Sequence, residues 1–190
     1  MTDPRAVLDF WFSPRAKAVW FEKDRAFDEE IRVRFGAAIH EAQMGGLRAW
    51  EESPTGCLAL LILLDQMARN IHRGAAKAFL GDPRALAIAD AAIARDFDKG
   101  LPFSQRRFFY IPFEHAEDMV HQERSIMLFT QLFEAATPAE RAEAEVQLDY
   151  AHRHRDIIKR FGRYPHRNEA LGRPSTENEI AFLKTPGSSF

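Results

Sequence analysis

From Cys57 to Leu64 the chain reads CLALLILL, with no charged side chain. Extended as a helix from Thr55, the stretch GCLALLILLDQMARNIHRG is apolar around its whole circumference in its first half. A helix of that kind, in a protein without a membrane span, must be surrounded by other helices. The run is less than half of the roughly 20 residues that a membrane helix requires, so it reads as a core element. The remaining sequence therefore has to supply a jacket of amphipathic elements. A chain of 190 residues is long enough to do so, since a domain of this size buries about 70% of its unfolded surface without a disulfide or a metal.

The flanking patterns fit that demand. Asp3-Pro4 supplies a cap and a first-turn proline for a short helix carrying Val7, Leu8, Phe10, Trp11 and Phe12. The pair Trp20-Phe21 precedes Asp24, which caps a second helix with Phe27, Ile31, Phe35, Ala38 and Ile39 inside and Asp28, Glu29, Arg32 and Arg34 on a wet face. Gly45-Gly46 and Ser53-Pro54 punctuate a connection, with Leu47 and Trp50 tucked under it. Gly74 ends the third helix and Asp82-Pro83 opens an alanine-rich one. After a break at Gly100, Pro102 and Ser104, a long helix is expected from near Pro112. Thr137-Pro138 opens the next, whose interior face passes Val146, Tyr150, His154, Ile157 and Phe161 before Gly162 stops it. Thr176 and Glu179 form a capping box for a last short helix, and Thr185 to Phe190 reads as a frayed tail. Alternating apolar patterns are missing, so the fold class is all-α, with about seven or eight helices in antiparallel neighbours. Residues 1–184 are expected to form one domain and 185–190 a tail.

Charge and cysteine usage narrow the function classes. Lys and Arg total 26 against 28 Asp and Glu, a net of -2, and this balance lacks the basic excess that nucleic-acid binding needs. Cys57 is the single cysteine and sits in the apolar run, which marks a buried thiol. The first residues carry acids where a signal peptide carries basic residues. A cytoplasmic protein without a membrane partner is expected.

Three stretches concentrate polar side chains. In the third helix Asp65, Gln66, Arg69, Asn70 and Arg73 continue the buried helix as one stripe. The stripe is either a face emerging into solvent, with Asp65 and Arg69 an ordinary ion pair, or a set of fixed donors and acceptors. The long helix from Pro112 places Glu114, Glu117, Asp118, His121, Gln122 and Ser125 on one broad face, followed by an apolar second half. If it runs antiparallel to the third helix, their polar halves meet. The third stretch, Tyr150 to Thr176, is a helix end and loop dense in arginine and histidine.

The segments LDQMARNIHRG, YIPFEHAED and HRDIIKRFGRYPHRNEALGRPST, with DFWF at the start, resemble the bacterial family called domain of unknown function 924. The resemblance spans nearly the whole chain. It implies a tetratricopeptide-like stack of antiparallel helical hairpins, and no activity comes with it. No period of roughly 34 residues is legible in this sequence.

The residue types in these motifs suit a small anionic ligand. Arg69, Arg73, Arg160, Arg163, Arg167 and Arg173 present planar forks for a carboxylate or phosphate, with Asp65, Gln66, Asn70, Asn168 and Ser175 as further lining. The alternative is a lock, in which these arginines pair with Asp65, Glu114, Glu117 and Asp156 and fasten the loop. The catalytic extension is acid-base chemistry by His115, His154 or His166 beside Glu114 or Glu117. His154 on an apolar face also fits a core histidine with one hydrogen-bond partner, and Ser175 fits a helix cap better than a nucleophile. Glu117 and His121 share a face with Glu114 one turn earlier, but paired Glu-x-x-His motifs do not occur, and the arginines repel a cation. No metal or cofactor is expected. A different class is a scaffold that binds a peptide or protein in a groove, with Phe10, Trp11, Phe12, Trp20, Phe21, Phe108, Phe109 and Tyr110 as anchors instead of core. Oligomeric state is not fixed by these residues.

Overall fold

The structure is a computed structural model that describes residues 2–20 and 22–188. Every regular element among the described residues is helical. Two compact units form, one from the residues up to Arg73 with Lys77–Pro112, the other from Gly74–Ala76 and the residues from Phe113 onward.

In the first unit, α1 (Pro4–Trp11) starts on Asp3, whose carboxylate accepts the Arg5 N–H at 3.0 Å. A short α2 (Pro14–Lys17), capped by Ser13, follows. Trp11 is fully buried against Trp20, Phe27 and Phe108, and the Trp20 indole donates to the Trp11 carbonyl at 2.8 Å. Phe10, Phe109 and Tyr110 are buried as well, so these aromatics fill the core; Phe21 lies outside the described residues. Asp24 caps α3 (Arg25–Gln43), which buries Phe27, Ile31, Phe35, Ala38 and Ile39 as its periodicity requires.

The apolar run forms α4 (Pro54–Leu61), continues through a π-helical segment, Ile62–Met67, and ends as α5 (Ala68–Ile71). Every residue from Gly56 to Ala68 is buried. The jacket is made by α1, α3 and α6 (Asp82–Ala94), which pack on this central rod. Each enclosed leucine or isoleucine stabilises the fold by about 1.5–3 kcal/mol. Cys57 sits in the rod with its thiol on the Glu51 carbonyl, 3.3 Å away, and burial pushes that thiol up to about 11.

The long helix expected from Pro112 is instead two helices. α7 (Phe103–Glu114) carries Pro112 in its interior and stops two residues later. Proline withdraws one backbone donor and crowds the preceding turn, which favours an early end. α8 (Met119–Ala135) then starts afresh on Asp118, whose carboxylate accepts the N–H groups of Val120 and His121 at 2.9 and 3.1 Å. The acidic and histidine residues therefore do not share one helix face.

In the second unit α8 and α9 (Arg141–Phe161) form an antiparallel hairpin. Arg141 reaches the Phe133 carbonyl near the turn at 2.8 Å, and Glu123 meets Arg155 at 3.7 Å further along. Leu128, Phe129 and Leu132 of α8 and Ala144, Ala151, Ile157 and Ile158 of α9 are its buried positions. Val146 and Tyr150, expected inside, are 56% and 43% exposed. The stripe runs through Ala144, Gln147 and Ala151 instead, and a residue next to it in sequence points about 100° away. Gly162 ends α9 with φ 69°, in the left-handed region that suits glycine. The capping box of Thr176 and Glu179 opens α10 (Glu177–Leu183) with both reciprocal bonds made. After α10, Ser188 is 7% exposed and donates to the Leu183 carbonyl at 3.1 Å.

Candidate functional site

The polar half of the third sequence helix stays largely buried and reaches solvent at Arg73. Asp65, Gln66 and Asn70 are buried, and the π-helical turn sets the Gln66 amide on the Asp65 carboxylate. Arg69 meets Asp65 at 3.0 Å and forks onto Asp82 at 2.9 and 2.8 Å. Arg73 forks onto Asp28 at 2.7 and 3.0 Å, and Asn70 donates to the same carboxylate at 2.7 Å. The decisive partners, Asp28 and Asp82, lie outside the three motifs. Asp28, expected on a wet face, has a side chain only 14% exposed. Its place in the first turn of α3, like that of Asp82 in α6, was the available signal for an acid held near a helix start.

In the second unit the hub is Tyr164, which the sequence does not single out. Its backbone turns out of the Gly162 stop, and its side chain is fully buried. The hydroxyl donates to the Glu114 carbonyl and accepts from the Gln122 amide at 2.9 Å. Its N–H donates to Glu117 at 2.7 Å, and its carbonyl accepts from Arg173 at 3.1 Å. Around the ring lie Arg167, 4.5 Å from the centroid, His154 at 5.7 Å and His166 at 5.6 Å. His115 lies 5.9 Å from His154, ring to ring. Burial and the negative carboxylates of Glu114 and Glu117 push the Tyr164 phenol up, against the opposing charge of Arg167.

A second knot holds the loop. Arg173 forks onto Glu117 at 2.6 and 2.9 Å and donates to Asn168 at 3.0 Å, and Asn168 donates to Ser175 at 3.0 Å. The α10 cap is Thr176, so Ser175 serves as an acceptor within the loop. Arg163 forks onto Glu179 at 2.6 and 2.8 Å and reaches the Pro174 carbonyl. Its hydrogen bonds hold the Glu179 carboxyl well below the usual range. Asp156 pairs with Arg155. Arg160 stands apart from these knots, over the rings of Phe161 and Phe182.

Electrostatics divide the histidines. His154 is 4% exposed and shares its Nδ1 with the Tyr150 carbonyl at 2.8 Å. Burial, aided by the neighbouring His115, Arg167 and His166 side chains, pushes it down to about 3. Burial thus favours its neutral form, in a core position with a hydrogen bond inside its own helix. His115 and His166 are half-buried and reach the surface. Among the described residues no group of three or more His, Cys, Asp or Glu has the geometry to hold a metal ion, and no helix is long and apolar enough to cross a membrane.

The family model of a bacterial protein of unknown function, DUF924, matches residues 7–187. The chain belongs to this family. The DUF924 chain is also similar to a solved structure, that of the protein of unknown function ATU0120 from Agrobacterium tumefaciens. The two share 39% identity over 95% of this chain and 96% of that one, with a TM-score of 0.85. No curated protein matches. The DUF924 motifs quoted from the sequence thus carry Glu114, His154, Tyr164 and Arg167, four side chains that are buried in the second unit.

Proposed function

We propose that this DUF924 protein binds a small anionic molecule, bearing a carboxylate or phosphate, at the polar cluster around Tyr164. One observation carries the reading: two half-buried imidazoles, His115 and His166, flank a buried pair of rings, His154 and Tyr164, with the Arg167 guanidinium over the phenol. Burying the charges of Glu114 and Arg167 beside a neutral histidine is costly if the only gain is stability. Two half-buried imidazoles in a cluster with a buried cation instead suit an anion, and imidazole is the side chain whose ordinary range suits proton transfer near neutral pH. Acid-base chemistry therefore falls to His115 and His166, with His154 as wall.

For four other arginines a lock is favoured. Arg69, Arg73, Arg163 and Arg173 each spend their fork on a carboxylate of their own unit. The test is thermal unfolding with inorganic phosphate and with succinate, for the wild type, His115→Ala and His166→Ala. A ligand that binds only the folded state raises Tm by mass action. Saturable stabilisation that both variants lose is the expected result. An unchanged Tm for the wild type with both probes, or equal stabilisation of the variants, overturns the assignment.

A further inference from the structure

Near the end of α9 the second unit has an open surface pocket of about 460 Å³, lined by Arg160, Phe161, Arg163, Thr176, Asn178 and Glu179. It shares no lining residue with the Tyr164 cluster. Its volume lies within the range of small-molecule sites, roughly 300–1,000 Å³. Most of its polar groups are already committed. Arg163 is forked onto Glu179, and the Thr176 hydroxyl accepts the Glu179 N–H as the α10 cap. Two are not. Neither Arg160 nor Asn178 has a side-chain hydrogen bond or ion pair among the described residues.

Arg160 is also placed. Its guanidinium carbon lies 4.7 Å from the Phe161 ring centroid and 5.5 Å from that of Phe182, and the two rings are 5.0 Å apart. A guanidinium resting near aromatic rings through its central carbon, with no ion pair, has N–H groups free to donate to a planar acceptor. The half-buried Phe161 ring adds an apolar wall beside that charge.

We infer that this pocket binds a monoanionic carboxylate carried on an aromatic or other flat apolar group. The carboxylate takes the Arg160 fork, the apolar group packs against the part of Phe161 that lines the pocket, and the Asn178 amide hydrogen-bonds the remaining polar edge. Charge selects this head group over a phosphate monoester. The lining carries two arginines and one glutamate, and the Arg163–Glu179 pair is self-neutralised, leaving one positive charge for the ligand. A phosphate monoester carries about -1.5 to -2 at pH 7, more than the one uncompensated charge of Arg160 balances.

The probe pair is benzoate and phenyl phosphate, which share a ring and differ in head group, with benzamide as the uncharged control. Each is titrated into the full chain labelled with nitrogen-15, reading the Arg160 Nε–H, the Asn178 side-chain amide and the Thr176 backbone amide. Benzoate is expected to give saturable shifts at all three, phenyl phosphate to bind at least about tenfold more weakly, and benzamide to give none. Arg160→Ala should weaken benzoate by about tenfold or more, and Arg160→Lys should recover only part of the loss because the fork is gone. Arg160 is exposed and makes no polar contact, so the variant keeps its fold, as an otherwise unchanged spectrum will show. Benzamide binding as well as benzoate, phenyl phosphate binding more tightly, no saturation with benzoate, or full affinity in Arg160→Ala each overturns the inference. His115→Ala and His166→Ala leave these shifts unchanged if the two sites are separate, so failure here and failure at the Tyr164 cluster are read independently.

Discussion

The Arg173 guanidinium clasps the Glu117 carboxylate through two parallel bonds, Nη1 to Oε2 at 2.6 Å and Nη2 to Oε1 at 2.9 Å. The pair joins the segment between α7 and α8 to the loop before α10, two stretches 56 residues apart in sequence. Glu117 also accepts the Tyr164 N–H, and Arg173 also donates to the Tyr164 carbonyl, so both ends of the fork grip the same residue.

Removing one half of this clasp strands the other. Arg173→Ala is expected to cost about 3 kcal/mol, because it leaves a partly buried carboxylate without its cation, and Arg173→Lys to recover only part of that. Urea unfolding of both variants measures the difference. A loss near zero for Arg173→Ala would show that the clasp is ornamental.

The same pair sets an acid limit. Burial acts to raise the Glu117 carboxyl, but hydrogen bonds from Arg173 and the Tyr164 N–H outweigh it and hold the group below its ordinary 4.5. A depressed carboxyl contributes stability above the unfolded value, and loses it as pH falls through the folded one. Unfolding free energy should therefore drop as pH is lowered below about 4.5, and drop less steeply in Glu117→Gln.

His154 acts over a higher window. Its ordinary value is 6.5 and burial pushes it down to about 3. Between those values the unfolded chain binds the proton and the folded chain does not. Its contribution is complete above 6.5 and is lost as pH falls toward 3, by up to about 1.4 kcal/mol per pH unit. His154→Leu should flatten the stability profile from pH 6.5 down to about 4. An unaltered slope would place the sensitivity elsewhere.

Gly56 stands where α4 meets the preceding turn. A Cβ there would lie 2.1 Å from the Trp50 carbonyl oxygen and 2.8 Å from two further backbone atoms. Backbone cannot swing aside as a side chain can, so Gly56→Ala is expected to destabilise by about 3 kcal/mol or more. Calorimetry of the variant decides the point.

Asp118→Ala tests the break between α7 and α8. Loss of the cap should cost about 1 kcal/mol and speed amide exchange at Val120 and His121. Unchanged exchange would indicate that those N–H groups do not depend on the cap.

Much of the scaffold was legible in the residues because it rests on local rules. Asp3-Pro4, Asp24, Gly162 and the Thr176–Glu179 box each stop or start a helix through atoms within a few residues of one another. The site was less legible. Tyr164 shows no polar pattern in sequence, yet it gathers Glu114, Gln122, Glu117 and Arg173. The helix expected from Pro112 failed because a broad polar face from Glu114 to Ser125 fits helical spacing equally well whether or not Asp118 interrupts it.

The sequence by itself determined an all-helical chain with one apolar rod that neighbouring helices must enclose, since periodicity and the cost of exposing Leu58 to Leu64 leave no other class. Only the tertiary structure decided which carboxylate each arginine takes. Asp28 for Arg73, Asp82 for Arg69 and Glu117 for Arg173 are separated from their partners by 45, 13 and 56 residues. Hydrogen-bond geometry acts over about 3 Å, and no one-dimensional pattern encodes which distant side chains come within that reach.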